Sequence, residues 1–384
     1  MKRSEDRILT THVGSLIRPA TLVDFTNEYL GKPPLEDKNF LAALQTATNE
    51  VVRKQVEAGI DIINDGEFGK SSWANYILER ISGFENRPDQ KAPIDWLGRD
   101  RERFDEFFAI EMPMAGDGLP VDACIGPIRY EDRNSVATNI AVFKKALAGV
   151  DAGEAFLTAV APASAAFTGV NEYYASEQEY IYALADALRE EYRLIHEAGL
   201  LVQVDDAVLA NMYDHFVQQS PENYRRWAGL RIEALNHALS GIPEDRVRYH
   251  ICFGSWHVPH VADAPLAELV PLILQVRAGA YSIEAANPRH EHEWRVWQTV
   301  KLPEGRILIP GVITHHTTTV EHPQVVADRI VRFAKIVGRE NVIAGTDCGF
   351  AQAQRIARVH PQVMWAKFAA LVEGARLATE ELWH

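Results

Sequence analysis

A (β/α)8 barrel is the fold that this sequence predicts, and three observations carry the prediction. Short apolar runs of strand length alternate with amphipathic helical stretches along most of the chain. No GxGxxG and no P-loop follows the first such run, which argues against a nucleotide-binding doubly wound sheet. A carboxylate stands where several runs stop: Glu67, Asp205 with Asp206, and Glu284. In a barrel of parallel strands those ends converge on one face, so residues remote in sequence can share a site.

The elements follow in order. ILTTHVGS reads as the first strand. The helix over 36–58, EDKNFLAALQTATNEVVRKQVEA, repeats Phe40, Leu44, Val51, Val52 and Val56 near helical spacing, and Gly59 ends it. IDIINDGE is then a strand that runs out at Asp65 and Glu67. The unit recurs at 176–206: Ser176 and Glu179 have capping-box spacing, Ile181, Leu184, Leu188 and Ile195 make the stripe, and EAG leads into LLVQVDD. RAGAYSIEAANP is read as a third copy, with its glycine closing a helix. AFLTAVAP, VRYHICFGS, RILIPGVITHH and NVIAGTDCGF are further strands, and PQVVADRIVRFAKIVG is a helix with Pro323 in its first turn and Gly338 after its last.

From about 85 to 150 the alternation breaks. NRPDQKAPIDWLGRDRERFDEFF and MPMAGDGLP precede a strand VDACIGPIRY and a helix around NIAVFKKALAG. This makes nine strand candidates for eight places, so the surplus strand is expected in this excursion, as a hairpin over the barrel mouth. No linker or low-complexity tract marks a second domain, and 1–384 is read as a single catalytic barrel domain.

Composition bounds the partners. At 384 residues with 47% hydrophobic content the chain can bury a large core. A net charge of −14 argues against nucleic acid and anionic membrane surfaces, which are bound by basic stripes. The N-terminus lacks an apolar signal region and no apolar run is long enough to span a bilayer, so a cytoplasmic location is expected. Three cysteines, Cys124, Cys252 and Cys348, do not make a disulfide framework in a chain this long and leave thiols for metal or chemistry. Small molecules are the expected partners, and the reading leaves room for a homo-oligomer.

His250 and Cys252 lie two apart on a strand, so both side chains point to one face. Glu284 ends the next strand and Cys348 ends the last, which brings four potential ligands to the same barrel mouth. Two thiolates, an imidazole and a carboxylate suit Zn2+ better than magnesium or calcium. The bland alternative is that the cysteines are small buried hydrophobes. His257 with His260 and His290 with His292 also have ligand spacing, but their setting among prolines and charges points to surface or helix-entry roles. Cys124 is expected to be structural. Of His315 and His316, one is expected to point into the mouth, as an acid/base or a supporting polar group.

These residues, with TTHVGSLIRP, INDGEFGK, VQVDDAVL, HIC, SIEAANPRHE, PGVITHH and TDCGF, resemble the cobalamin-independent methionine synthase superfamily, specifically its catalytic C-terminal barrel. The match runs nearly end to end. The resemblance implies a zinc site at His250, Cys252, Glu284 and Cys348. It also implies a pocket for an amino-acid thiol, with Ser15 receiving the carboxylate, Glu67 and Asp205 the ammonium group, and His316 donating a proton near the leaving group. Departures occur: the N-terminal barrel of the full-length plant and bacterial synthases has no counterpart in these residues, VDDA stands for a DEP-type sequence, and THH for a segment with an aspartate and one histidine. They bear on the alkyl donor, which is left among methylfolate, methylcobalamin and an epoxide.

The expected function is zinc-dependent methyl transfer to homocysteine or a similar amino-acid thiol. Short superfamily members also include epoxyalkane:coenzyme M transferases, and an epoxide-opening thiol transferase is the alternative reaction. Coenzyme M carries a sulfonate and no ammonium, so it would prefer arginine or lysine, for which Arg18 and Lys70 are the nearby candidates, although both read as solvated surface charges. A third reading is a non-catalytic sensor or binding protein in which the metal is structural.

Overall fold

Eight short parallel strands form the centre of the computed structural model, which describes residues 1–25, 32–92, 96–112, 119–165 and 167–384. They are β1 (Leu9–Thr10), β2 (Ile62–Ile63), β3 (Glu154–Val160), β4 (Leu201–Asp205), β5 (Val247–His250), β6 (Ala280–Ile283), β7 (Ile307–Ile313) and β8 (Ile343–Thr346). Each pairs with its successor from β2 to β8, and β8 returns to β1 with Leu9 opposite Ile343. A parallel bridge between Thr11 and Ile62 joins β1 to β2 and closes the ring. This is the (β/α)8 barrel that the alternation predicts.

Strand periodicity divides the core in two. Leu9, Ile62, Phe156, Leu201, Ala280, Ile307, Ile309 and Ile343 form one buried cluster, the lower filling of the barrel. Their sequence neighbours Ile63, Leu157, Val202, Leu308 and Ala344 belong to the larger cluster that packs against the helices. Helix Lys38–Glu57 begins at Asp37, whose carboxylate accepts from the Asn39 and Phe40 amides, a cap worth about 1 kcal/mol. Ser176 caps Glu177–Glu197 in the same way through the Glu179 amide. In the third unit the expected helix–glycine join is not made. The helix Leu266–Ile273 stops well before Gly279, where a side chain would meet the Glu244 carbonyl and the Asp245 backbone.

The surplus strand lies outside the barrel. Phe84–Lys91 pairs antiparallel with Pro120–Cys124, which pairs in parallel with Gly169–Asn171. Helix Arg133–Leu147 belongs to the ring, since it precedes β3 and lies against Lys38–Glu57, where Gln45 donates to the Val142 carbonyl at 3.1 Å. Parts of the KAPIDW and MPMAGDGLP stretches lie outside the described residues. No described helix is long and apolar enough to cross a membrane.

His12 of the TTHVGS stretch, given no role by the sequence, is fully buried. Its Nδ1 accepts from the Gly14 amide at 3.1 Å, and its Nε2 lies 2.7 Å from Gln55 Oε1, so the ring is neutral with its proton on Nε2. Burial pushes its pKa down to about 3. An unfolded chain takes up a proton near ~6.5 that the folded one refuses. The stabilisation is therefore complete above that pH and is lost as pH falls toward 3, by about 1.4 kcal/mol per pH unit. Urea unfolding midpoints measured from pH 7 to 5 should fall less steeply in His12→Gln than in the unaltered protein. Equal slopes would remove His12 as the source.

Candidate metal centre and substrate cavity

The alternation that fills the lower barrel also builds the site. Above Leu201 on the same face of β4 come Gln203 and then Asp205, joined by a 2.9 Å hydrogen bond from Gln203 Nε2 to Asp205 Oδ1. On β5 the corresponding series is Arg248, which lies 4.0 Å over the Phe156 ring, then His250, then Cys252 beyond the strand end. Cys348 follows the end of β8. His250, Cys252 and Cys348 meet here, with one ligand atom from each within 4.8 Å of the others.

The donor set fits a soft divalent cation. Both ring nitrogens of His250 are buried without a hydrogen-bond partner, a costly arrangement unless an electrophile takes one of them. The two thiols titrate as a pair: Cys252 and His250 hold Cys348 well below its ordinary pKa, while the Cys348 thiol and burial push Cys252 up. The pairing favours ionisation of Cys348 ahead of Cys252.

Glu284 stands beside this triad but is not one of the three groups within that mutual distance. It is registered to both cysteines through their neighbours in sequence. Phe253, next after Cys252, donates its amide to Glu284 Oε1 at 3.1 Å. Asp347, just before Cys348, accepts through Oδ1 from the Ala285 and Ala286 amides, both at 2.8 Å. Burial, Asp347 and Cys348 drive the Glu284 pKa well up, so nearby positive charge is needed to ionise it. Gly311 of PGVIT leaves room for Asp347, because a Cβ there would overlap the Asp347 carboxylate and backbone. Gly311→Ala is expected to cost about 1–3 kcal/mol and to lower the thermal midpoint, as overpacking against backbone does. An unchanged midpoint would count against this close approach.

A cavity of about 180 Å³ opens over the triad. Ser15, Glu67, Asp205, His250, Cys252 and Cys348 all line it, and Trp73, Phe167 and Trp256 wall its outer part. Glu67 accepts from Thr158 Oγ1 at 2.6 Å, and its other oxygen, Oε2, is buried with no partner. Its backbone is left-handed, at φ 60°, with Asp65 Oδ1 accepting the Glu67 amide at 2.9 Å and Arg18 donating to its carbonyl at 2.8 Å. A non-glycine residue kept in this region costs free energy that the surrounding bonds must supply, a frequent mark of functional positions. Burial raises the Asp205 pKa to about 7. Ser15 donates its hydroxyl to the Ala351 carbonyl.

Several expectations change here. Arg18 and Lys70 are buried rather than solvated: Arg18 is bonded to backbone carbonyls, and Lys70 Nζ to Thr158 O and Oγ1 at 2.6 and 2.8 Å. His257 and His292 are exposed and His290 stands at the entry of the helix Glu291–Gln298, as expected, but His260 and His290 are buried and bound to carboxylates. Neither His315 nor His316 lines the cavity. His315 reaches it through Ser255, a lining residue 2.9 Å away. His316 lies beside His257 and His260, and burial with those neighbours lowers its pKa to about 4, so it is neutral at pH 7. The Cys124 thiol is buried and donates to the Gly126 carbonyl at 3.5 Å.

A clamp that sequence reasoning missed holds the histidine loop. Lys367, buried in the C-terminal helix Pro361–Trp383, donates to Thr314 Oγ1, Thr319 O and Glu321 Oε2 at 3.0, 2.6 and 2.8 Å. Glu321 Oε1 in turn accepts from the Thr314 amide at 2.8 Å. The signal was a lysine on the apolar face of a helix, which needs a buried partner.

Comparison with known proteins finds relatives over nearly the whole chain. A methionine synthase of Thermococcus kodakarensis is 25% identical over 377 residues, covering 97% of this chain and 94% of that protein. One from Sulfurisphaera tokodaii is 23% identical over 377 residues, covering 97% and 93%. Among solved structures, a B12-independent methionine synthase from Shewanella sp. W3-18-1, in complex with selenomethionine, superposes with a TM-score of 0.75 at 20% identity, covering 98% of this chain and 99% of that one. The family described as Cobalamin-independent synthase, Catalytic domain, matches residues 133–370, which contain all four of His250, Cys252, Glu284 and Cys348. By that match the chain belongs to the cobalamin-independent synthase catalytic-domain family.

Proposed function

We propose that this protein is a zinc-dependent S-methyltransferase that alkylates homocysteine or a closely related amino-acid thiol. The observation that carries the reading is one cavity lined by two chemically distinct sets of side chains. His250, Cys252 and Cys348 offer a soft-metal site at one place, and Ser15, Glu67 and Asp205 offer hydroxyl and carboxylate groups at another. Relatives named methionine synthase align over nearly the whole chain, which supports the same assignment.

His250, Cys252 and Cys348 would hold the zinc, with Glu284 as the adjoining carboxylate. Zinc bound there supplies Lewis acidity that favours the thiolate form of a substrate thiol at neutral pH. The unpartnered Glu67 Oε2 accepts a hydrogen bond from the substrate ammonium, and that cation favours ionisation of Asp205. Trp73, Phe167 and Trp256 exclude water from the side on which the alkyl donor approaches. His315, neutral and 2.9 Å from the Ser255 hydroxyl, would relay a proton between the leaving group and His316, whose ring lies against it.

Zinc-loaded protein incubated with homocysteine and with coenzyme M, each against methylfolate, methylcobalamin and an epoxide, tests the proposal. Methionine formation is the expected result, with roughly one zinc retained per chain. Turnover of the sulfonate thiol in preference to homocysteine would overturn the amino-acid assignment, and protein that retains no zinc would overturn the metal.

A further inference from the structure

A buried cluster of four ionisable side chains lies behind Glu284, outside the proposed ligands and substrate groups. His290 has Nδ1 at 2.8 Å from Glu293 Oε2 and Nε2 at 2.9 Å from Asp263 Oδ2. The same Asp263 oxygen is 2.8 Å from His260 Nδ1, and His260 Nε2 is 3.2 Å from the Trp256 carbonyl. Against burial, the hydrogen bonds to Asp263 and Glu293 raise the His290 pKa and the bond to Asp263 raises that of His260, so these carboxylates favour the protonated rings. His260, His290 and Glu293 are buried and Asp263 between the two rings is partly buried, and pairing with carboxylates is what allows imidazole rings that favour protonation to sit at this depth.

The cluster ties the loop after β5 to the loop after β6, and it meets the site at Trp256, whose carbonyl faces His260, and at the ring of Phe253. His290 lies flat on Phe253, with centroids 3.6 Å apart and planes 4° from parallel, a ring that favours protonation on an aromatic face. Phe253 follows Cys252 in the chain, and its amide is the donor to Glu284 Oε1. Clamping the ring restrains the Phe253 Cα, so loss of the stack would free the backbone to shift and carry with it the amide that donates to Glu284.

We propose that His290 is a positioning residue: its stack on Phe253 fixes the amide that aims Glu284 at the His250, Cys252 and Cys348 triad. The proposal rests on the metal-centre reading above. Held by two uncharged donors, the Phe253 amide at 3.1 Å and the more distant Asn287 side chain at 3.5 Å, Glu284 stays close to the metal position while remaining displaceable by an incoming thiol. Asp263 and Glu293 serve by holding the His290 ring in place, and His260 by sharing Asp263.

The test uses the full chain and two metals. Zinc affinity is measured by competition with a chromophoric chelator, and cobalt(II) spectra report thiolate charge transfer separately from the d–d bands that sense an oxygen ligand. Phe253→Leu and His290→Gln should each weaken zinc binding about tenfold, in the range seen when groups behind metal ligands are removed. Each should reproduce the cobalt d–d spectrum of Glu284→Gln while keeping the charge-transfer band. Introduced into Glu284→Gln, each should weaken zinc further by less than about twofold, because the route through Glu284 is already cut. A full additional tenfold loss on that background, or single variants with unchanged affinity and spectra, overturns the role of His290 alone. Unaltered protein that binds neither metal overturns the metal centre itself. If His290→Gln fails to fold, Phe253→Leu, which leaves all four ionisable groups paired, decides by the same criteria.

Discussion

Cys348→Ser is expected to abolish metal retention and with it turnover, while the apo fold survives. Structural zinc sites are worth about 10–16 kcal/mol, so one of four ligands carries on the order of 3 kcal/mol, about a hundredfold in affinity. The true loss should be larger, because Cys348 is the thiol that ionises first: Cys252 and His250 both favour its thiolate. Serine keeps the size of the side chain but is a poor ligand at neutral pH. Cys348 comes after the last residue of β8 and makes no backbone ladder contact, so circular dichroism and the apo thermal midpoint should change little. Zinc analysis after dialysis decides the matter; a variant that keeps a full equivalent of zinc would exclude Cys348 as a ligand.

The second large effect is on substrate recognition. Glu67→Gln keeps the Thr158 hydrogen bond and the side-chain volume but removes the charge facing the cavity. A charge-assisted hydrogen bond to an ammonium group is worth about 1.5–3 kcal/mol, which corresponds to roughly a 10–100-fold rise in KM for homocysteine. A thiol of the same length without the amino group should show almost no difference between variant and unaltered protein. The contrast between the two thiols is the measurement. Equal losses for both would mean that Glu67 supports the left-handed turn at φ 60° and not the ligand.

Much of the candidate site is legible because its residues sit at fixed parity on strands. His250 and Cys252 are two apart, so strand geometry alone puts them on one face, and the same count carries Leu201 to Gln203 to Asp205. Strand ends in a barrel converge, which allowed Cys348 and Glu284 to be placed at the same mouth before any distance was known. Parity fails where strands end. Glu284 stands beside the triad, held by the Phe253 amide, and no spacing rule predicts which way its carboxylate turns. His315 and His316 lie past β7, in a loop held by Lys367 from the other end of the chain, 53 residues beyond Thr314. Their orientation depends on that distant bond.

Charge states show the same division. Arg18, Lys70, His260 and His290 look in sequence like surface groups, since such side chains usually are. The fold buries all four and gives Arg18, Lys70 and His290 an acceptor from a distant segment, while His260 bonds Asp263 three residues on. Local patterning determined the barrel, its helix caps and the identity of the soft-metal donors, because period-2 alternation, capping and ligand chemistry act over a few residues. The tertiary structure alone decided which oxygen of Glu67 is left open, that His316 is neutral and that His290 lies between two carboxylates that favour its protonated form. Those properties depend on burial and on partners brought together across long stretches of chain, and the electrostatic cost of burial exists only once the chain has closed around the group.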